Sequence, residues 1–370
     1  MNFIPTIPKS ELPENSHKIA SVGNRQIALF NYNGEITALG NACLHKGGPI
    51  GKGRVYYIKD ELCVECPWHG WQYNVKTGKA PGGYLDQQAV FEVKIEDDMI
   101  MVSEKTIVNA KAAQHDHPEI ADLVQLKYET GPGTMNVLGI STTNLNKRIP
   151  RPSTSEEGLN YGLELAEKEF GAKTKMLKLR DLEFRHCEGY YSLHEKACTW
   201  PCSITDKKPD DGMTEIYRGL ILWADVVLVA TPIRWGNASS LYYKMCERLN
   251  CVQNQITLYD KVLIKNKVAG FIITGGQDNI QQVAGQMNVF FTELGFAYPP
   301  FNFVGWSRGW ISEDMEHNIE DFRKSRYMKR SIKELVSNTI NMSRNFKQMD
   351  CTKLDAPLPK RKDKVAGSIQ

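Results

Sequence analysis

Two short stretches, Cys43-Leu44-His45 and Cys66-Pro67-Trp68-His69, each set one cysteine beside one histidine. A fold that uses all four residues must bring two separate loops to one point. The sequence around them supplies the means. "RQIALFNYNGEITALG" (25–40), "RVYYIKDELCVEC" (54–66) and "AVFEVKIEDDMIMVS" (89–103) alternate apolar and polar residues and are broken at Asn-Gly and Asp-Asp. That pattern predicts antiparallel hairpins over residues 1–105, an all-β domain with turns available as ligand loops. The remaining length then belongs to a second core.

Residues 106–133 lose the alternation and end in Gly131-Pro132-Gly133, as a linker would. From 134 the rhythm is strand then helix. "TMNVLGI", "KTKMLKL", "DVVLVATP", "KVAGFIIT" and "PPFNFVGW" read as strands; "EEGLNYGLELAEKEFG", "MTEIYRGLILWA", "SSLYYKMCERLN" and "NIQQVAGQMNVFFTELG" read as helices. Such alternation predicts a parallel sheet covered on both faces over 134–312. A helical extension over 313–350 and a polar tail over 351–370 complete the expected organisation.

With 46 basic and 43 acidic residues and a net charge of +3, the chain gives no reason to expect nucleic acid or an anionic membrane as partner. No apolar run is long enough to span a bilayer, and the first residues lack a secretion-signal core, so a cytoplasmic location is expected. Nine cysteines in such a chain point to thiols or metal ligands in place of a disulfide framework.

Two thiolates and two imidazoles suit either a tetrahedral zinc ion or a [2Fe–2S] cluster. Zinc sites generally pair like ligands within a loop, whereas here each loop supplies one of each, as two inequivalent irons require. Cys-x-His and Cys-Pro-x-His-Gly, as they stand here, resemble the Rieske family over about residues 5–104. The resemblance implies that Cys43, His45, Cys66 and His69 hold a Rieske-type [2Fe–2S] cluster at the tip of the β domain. The extra cysteine pair of the respiratory-complex members is absent, and Trp71 stands where a hydroxyl donor often follows. Fewer hydrogen bonds to sulfur predict a potential in the lower half of roughly −150 to +300 mV. Cys63 reads as a packing residue, and Cys246, Cys251 and Cys351 as ordinary thiols.

In the second part, ligands are expected beyond the carboxyl ends of the strands. The loop from 141 is rich in hydroxyls and enters a helix, as a phosphate monoester needs. The loop from 231 sets Trp235 beside Gly236, a flat ring against bare backbone. The loop from 274 offers Gly275 and Gly276 for close approach. Together these resemble the NAD(P)H-dependent FMN reductase and iron–sulfur flavoprotein branch of the flavodoxin-like fold, over about 134–312. "TPIRWGNAS" is similar to that family's Pro-x-Tyr/Trp-Gly-Asn-x-Ser loop. The resemblance implies a doubly wound sheet of strand order 2-1-3-4-5 and one FMN. Its phosphate would lie on Ser141, Thr143, Ser153 and Ser155, and its ring against Pro232, Ile233, Arg234, Trp235, Gly236 and Asn237. The polar edge of the ring would face Thr274, Gly275, Gly276 and Asp278.

Iron–sulfur flavoproteins carry four close cysteines where this chain has Cys187, Cys198 and Cys202 with His186 and His194. The segment therefore reads as a cysteine-containing loop over the flavin, the alternative being a second metal centre on the three thiolates with His186 or His194. No G-x-G-x-x-G follows a strand, so a Rossmann dinucleotide domain is not expected. No side-chain acid or base stands out as catalytic, and Arg234 is a candidate to hold the charge of reduced flavin. The expected activity is NAD(P)H oxidation at FMN with single electrons passed through the cluster to an acceptor, in a homo-oligomer. The alternatives are a ferredoxin-fed FMN reductase of a small substrate and a non-enzymatic electron carrier.

Overall fold

The computed structural model describes residues 1–112, 134–145, 148, 151–208, 210–275, 279–308 and 317–348. The chain divides into two compact units. The first comprises Met1–Ala121 with Cys187–Pro209, and the second Asp122–His186 with Asp210–Gln370. The segment Cys187–Pro209 thus packs with the N-terminal part, although its sequence neighbours on both sides belong to the second unit.

The first unit is all-β, as its alternation predicts. Its strands are β1 (Phe3–Pro8), β2 (Ser16–Val22), β3 (Arg25–Tyr32), β4 (Glu35–Gly40), β5 (Arg54–Ile58), β6 (Glu61–Glu65), β7 (Gln72–Asn74), β8 (Val90–Glu96) and β9 (Met99–Val108). A six-stranded sheet runs in the order β1-β9-β8-β4-β3-β2, and a three-stranded one in the order β5-β6-β7. Two-residue turns close the hairpins. Asn33 (φ 55°) and Gly34 (φ 73°) join β3 to β4, while Asp97 (φ 48°) and Asp98 (φ 62°) join β8 to β9. Both turns use residue types that tolerate left-handed backbone and match the strand twist. One apolar cluster, with Leu12, Ile27, Leu29, Phe91 and Ile100, fills one side. Another, with Phe30, Leu39, Ile50, Val64 and Tyr73, contains Cys43 and Cys66.

The second unit holds β10 (Asn136–Ser141), β11 (Lys173–Lys178), β12 (Val226–Pro232), β13 (Val268–Gly275) and β14 (Phe303–Ser307). All neighbouring pairs are parallel, in the order β11-β10-β12-β13-β14. Counted within the unit this is 2-1-3-4-5, the order of a flavodoxin-like sheet. Every residue of β12 and β13 is buried, as a sheet covered on both faces demands.

Its helices are α1 (Thr154–Phe170), α2 (Met213–Tyr217), α3 (Ser240–Arg248), α4 (Asn250–Tyr259), α5 (Ile280–Leu294), α6 (Asn318–Lys324) and α7 (Arg326–Gln348). Helix α1 begins where the Ser153 side chain accepts from the Glu156 N–H and ends at left-handed Gly171. Its Leu159 and Leu163 join Ile332, Leu335 and Val336 of α7 over the strands. The C-terminal helix is therefore part of this core, not a free arm. Two details differ from the sequence reading. Helix α2 continues as a π-helical turn over Arg218–Trp223, and the chain beyond α3 restarts as α4. The polar run in α4 hides its period, because Asn254 and Gln255 are themselves buried. No helix among the described residues is long and apolar enough to cross a membrane.

At the amino ends of the strands, Lys267 is only 1% exposed and donates to the Ala224 carbonyl at 2.6 Å. Burial holds its ammonium down to about 7 from 10.5, opposed by Asp225 and reinforced by the charge of Lys347. Between these two values the unfolded chain binds the extra proton, so stability rises as pH climbs from about 7 towards 10.5 and is lost as pH falls back to 7. Lys267→Met should flatten this slope. The check is the urea midpoint at pH 7 and pH 9.5: the wild-type protein gains stability at the higher pH relative to the variant.

Candidate functional site

In the first unit the four predicted ligand residues come together. The loop after β4 carries Cys43 and His45. It is closed by Cys43 N–H donating to Gly48 O at 2.8 Å and Gly47 N–H donating to Cys43 O at 2.7 Å. The loop between β6 and β7 carries Cys66 and His69, closed by Cys66 N–H to Trp71 O at 2.6 Å and Gly70 N–H to Cys66 O at 2.9 Å. Gly47 (φ 79°) and Gly70 (φ 69°) make these turns possible. At Gly48 a Cβ would come within 2.7 Å of the Cys66 sulfur, so the first loop reaches the second thiol only without a side chain there.

The two thiols are in hydrogen-bond contact, which pulls the Cys43 thiol below its ordinary range, with Tyr73 and the His45 and Lys46 N–H groups acting in the same direction. Cys66 is pushed up by the same contact and by burial, while the N–H groups of Trp68 and His69 point at its sulfur. The imidazoles form the other pair, with their Nδ1 atoms 3.2 Å apart. Burial, then the neighbouring His45, hold His69 down to about 3, so its ring is neutral. Its Nε2 lies 2.8 Å from Ala197 O, which can only accept. That N–H is therefore on Nε2 and Nδ1 presents a lone pair. His45 faces the Asp206 carboxylate in the same way, Nε2 to Oδ2 at 3.0 Å.

A sulfur pair and a nitrogen pair, each formed with one residue from either loop, fit two inequivalent irons. Among the described residues no three His, Cys, Asp or Glu side chains gather about a point that could hold a single metal ion.

Two nearby features were not foreseen from the sequence. Tyr73 Oη lies 3.4 Å from Cys43 Sγ and accepts from Leu44 N–H at 3.2 Å. The hydroxyl missing at Trp71 is thus supplied two residues later, where strand alternation turns the side chain inward; that alternation was the available signal. Trp71 itself stacks on His45 with centroids 4.0 Å apart. The second feature is the packing of Cys187–Pro209 on the histidine edge. Cys63, buried in β6, has its thiol pushed up to about 11 by burial, an inert packing residue.

In the second unit a cavity of about 660 Å³ opens at the carboxyl ends of β10, β12 and β13. Thr143, Arg151, Ser153, Thr154, Pro232, Arg234, Thr274 and Gly275 line it, with Leu145, Pro152, Asn318 and Ile319. The Thr143, Ser153 and Ser155 hydroxyls form a triangle of 3.0, 2.9 and 3.1 Å sides at the amino end of α1. Ser141 lies beneath, its hydroxyl donating to Glu156 at 3.1 Å. Burial alone would raise the Glu156 carboxyl, but hydrogen bonds from Arg180 and Lys178 hold it down to about 2. Arg234 is lowered by burial and by the charge of Arg151, two cations with reason to attract an anion.

The 232–237 loop is a tight turn. Arg234 N–H donates to Asn237 O at 2.7 Å and Asn237 N–H returns to Arg234 O at 3.0 Å. Trp235 (φ 51°) and Gly236 (φ 70°) are both left-handed, and the Trp235 ring is 95% exposed. Ile233 sits against Gly275, where a Cβ would meet it at 2.7 Å. Gly276 and Asp278 lie outside the described residues.

These folds and sites define a redox electron-transfer flavoprotein with an iron–sulfur domain. Residues 2–96 match the Rieske [2Fe-2S] domain model and residues 135–310 the NADPH-dependent FMN reductase model. The chain is 36% identical over 80 residues to the 3-phenylpropionate/cinnamic acid dioxygenase ferredoxin subunit of Escherichia coli K12, covering 22% of this chain and 72% of that protein. It is also 36% identical over 95 residues to human apoptosis-inducing factor 3, covering 25% of this chain and only 15% of that relative. A solved structure of RosB with bound 8-demethyl-8-formylriboflavin-5'-phosphate is 21% identical and covers 64% of this chain and 94% of that one, with a TM-score of 0.46. The chain belongs to the Rieske [2Fe-2S] family through its first unit and joins to it an NADPH-dependent FMN reductase domain. The families imply a [2Fe–2S] cluster, FMN and NAD(P)H.

Tyr73→Phe removes a hydrogen bond to a cluster-side sulfur and leaves more negative charge there. The reduction potential of the cluster should fall, read by an EPR-monitored redox titration; an unchanged or raised potential contradicts the role.

Proposed function

We propose that the protein oxidises NAD(P)H and delivers the electrons singly to an acceptor, with Cys43, His45, Cys66 and His69 as cluster ligands and the cavity of the second unit as the FMN site. The observation that carries this reading is the occurrence, in one chain, of the paired thiol and imidazole site and the hydroxyl-lined cavity at the strand ends. FMN supplies conversion between two-electron and one-electron transfer, and the cluster carries one electron at a time.

The residues of the chain do the positioning. Thr143 and Ser153 present hydroxyls where α1 directs its positive end, with Ser155 buried behind them and bonded to both, the arrangement that suits the phosphate monoester. Ser141 supports this seat from below through Glu156. Arg151 and Arg234 give the cavity a cationic wall for the anionic ligand and for charge accumulating on its ring. The 232–237 turn holds the exposed Trp235 ring as a flat platform, and Gly275 lets Ile233 close the floor. In the first unit, burial keeps His69 neutral and able to bind metal. N–H donors face each sulfur and favour its thiolate, and Cys43 is the thiol held below its ordinary range.

Two measurements test this. The holoprotein mixed anaerobically with NADPH or NADH should show flavin bleaching followed by the EPR signal of a reduced Rieske cluster. A flavin that stays oxidised with both nucleotides overturns the reading. Trp235→Gly relieves about 1 kcal/mol of left-handed strain, offset by about 0.5–1 kcal/mol of glycine's added freedom when unfolded. Stability should therefore hardly change, while FMN binding, followed by fluorescence, weakens several-fold through loss of stacking worth about 0.5–1.5 kcal/mol.

A further inference from the structure

We propose that Asp206 and the carbonyl of Ala197 form an in-chain clamp on the outer edge of the cluster, orienting both ligand imidazoles and, through the Asp206 carboxylate, lowering the cluster's reduction potential. This rests on the assignment of Cys43, His45, Cys66 and His69 as ligands.

Each imidazole has two nitrogens, and with Nε2 engaged it is Nδ1 that would be left for a metal. The other decides how the ring is held and how much electron density it offers. Here both outer nitrogens end on the same segment, Cys187–Pro209: His45 Nε2 is 3.0 Å from Asp206 Oδ2, and His69 Nε2 is 2.8 Å from Ala197 O. The contact is dry, with the His45 and Asp206 side chains 2% and 8% exposed. Asp206 is presented by a one-turn helix, Ser203–Lys207.

The segment is fastened to the ligand loops beyond these two contacts. Lys46 donates to Thr199 O at 2.6 Å and to Pro201 O at 2.7 Å, and Lys207 donates to His69 O. Trp68 stacks on His194 with centroids 4.8 Å apart, and Tyr190 meets the His69 ring edge-on at 4.6 Å. The face of the imidazoles away from the sulfurs is therefore covered by the chain's own residues. Reduction adds one negative charge to the cluster. A carboxylate held on a ligand ring in a low-dielectric setting opposes that addition, so the oxidised form is favoured. Ala197, a backbone acceptor without charge, orients His69 without this effect. The two histidines are thereby held by unequal partners.

The test uses the full-length, cluster-loaded protein. Iron and acid-labile sulfide analysis with the reduced-state EPR spectrum first establishes the cluster in the wild type. Asp206→Asn keeps an acceptor for His45 and removes the charge, whereas Asp206→Ala removes both. In EPR-monitored titrations both variants should shift to higher potential, and only Asp206→Ala should also alter the histidine nitrogen couplings seen by pulsed EPR. Potentials that match the wild type in variants retaining the cluster overturn the clamp alone. If Asp206→Ala fails to fold or to keep its cluster, Asp206→Asn decides by itself. A wild-type protein without a Rieske signal overturns the ligand assignment and the clamp with it.

Discussion

Two imidazole rings from separate loops meet nitrogen to nitrogen, their Nδ1 atoms 3.2 Å apart, while both Nε2 atoms are taken up by acceptors. The architecture of the first unit serves that constraint. Hairpins bring two loops alongside, left-handed glycines let them close, and a missing side chain at Gly48 lets one loop rest on the other's sulfur. Tyr73 and the surrounding N–H groups then turn toward the thiols, so that each sulfur is met by donors.

The second unit solves a different problem with the same economy of means. A parallel sheet buried on both faces has only its strand ends free, and at their carboxyl ends three loops converge on one cavity. Among the described residues its lining is hydroxyls, two guanidiniums, an amide and apolar side chains, with no carboxylate or imidazole. That composition suits a site in which the bound cofactor performs the chemistry and the protein aligns it.

The segment Cys187–Pro209 is where the two organising ideas meet the limits of linear reading. Three cysteines at loose spacing drew attention to it as a flavin-covering loop. What matters in the folded unit is instead Asp206 and a main-chain carbonyl at Ala197. Neither has a motif: an aspartate on a one-turn helix is ordinary in sequence, and a carbonyl is carried by every residue. Their meaning comes only from the two histidine nitrogens opposite them.

Periodicity sufficed for the two fold classes, family resemblance supplied the 2-1-3-4-5 strand order, and short ligand spacing marked the paired cysteines and histidines, because such local patterns survive in one dimension. The linear reading also marked, through loop composition and the same resemblance, the Thr143, Ser153 and Trp235 loops. It missed Tyr73 as a sulfur donor, the restart of the chain as α4, and the commitment of Ser141 to Glu156. Each of these depends on which residue lies across a turn or beneath a helix. The sequence by itself determined the chemistry available, thiols, imidazoles, hydroxyls and a flat ring. Only the tertiary structure decided which nitrogen of each histidine is spent on Asp206 and Ala197, because that choice is set by contacts spanning more than a hundred residues.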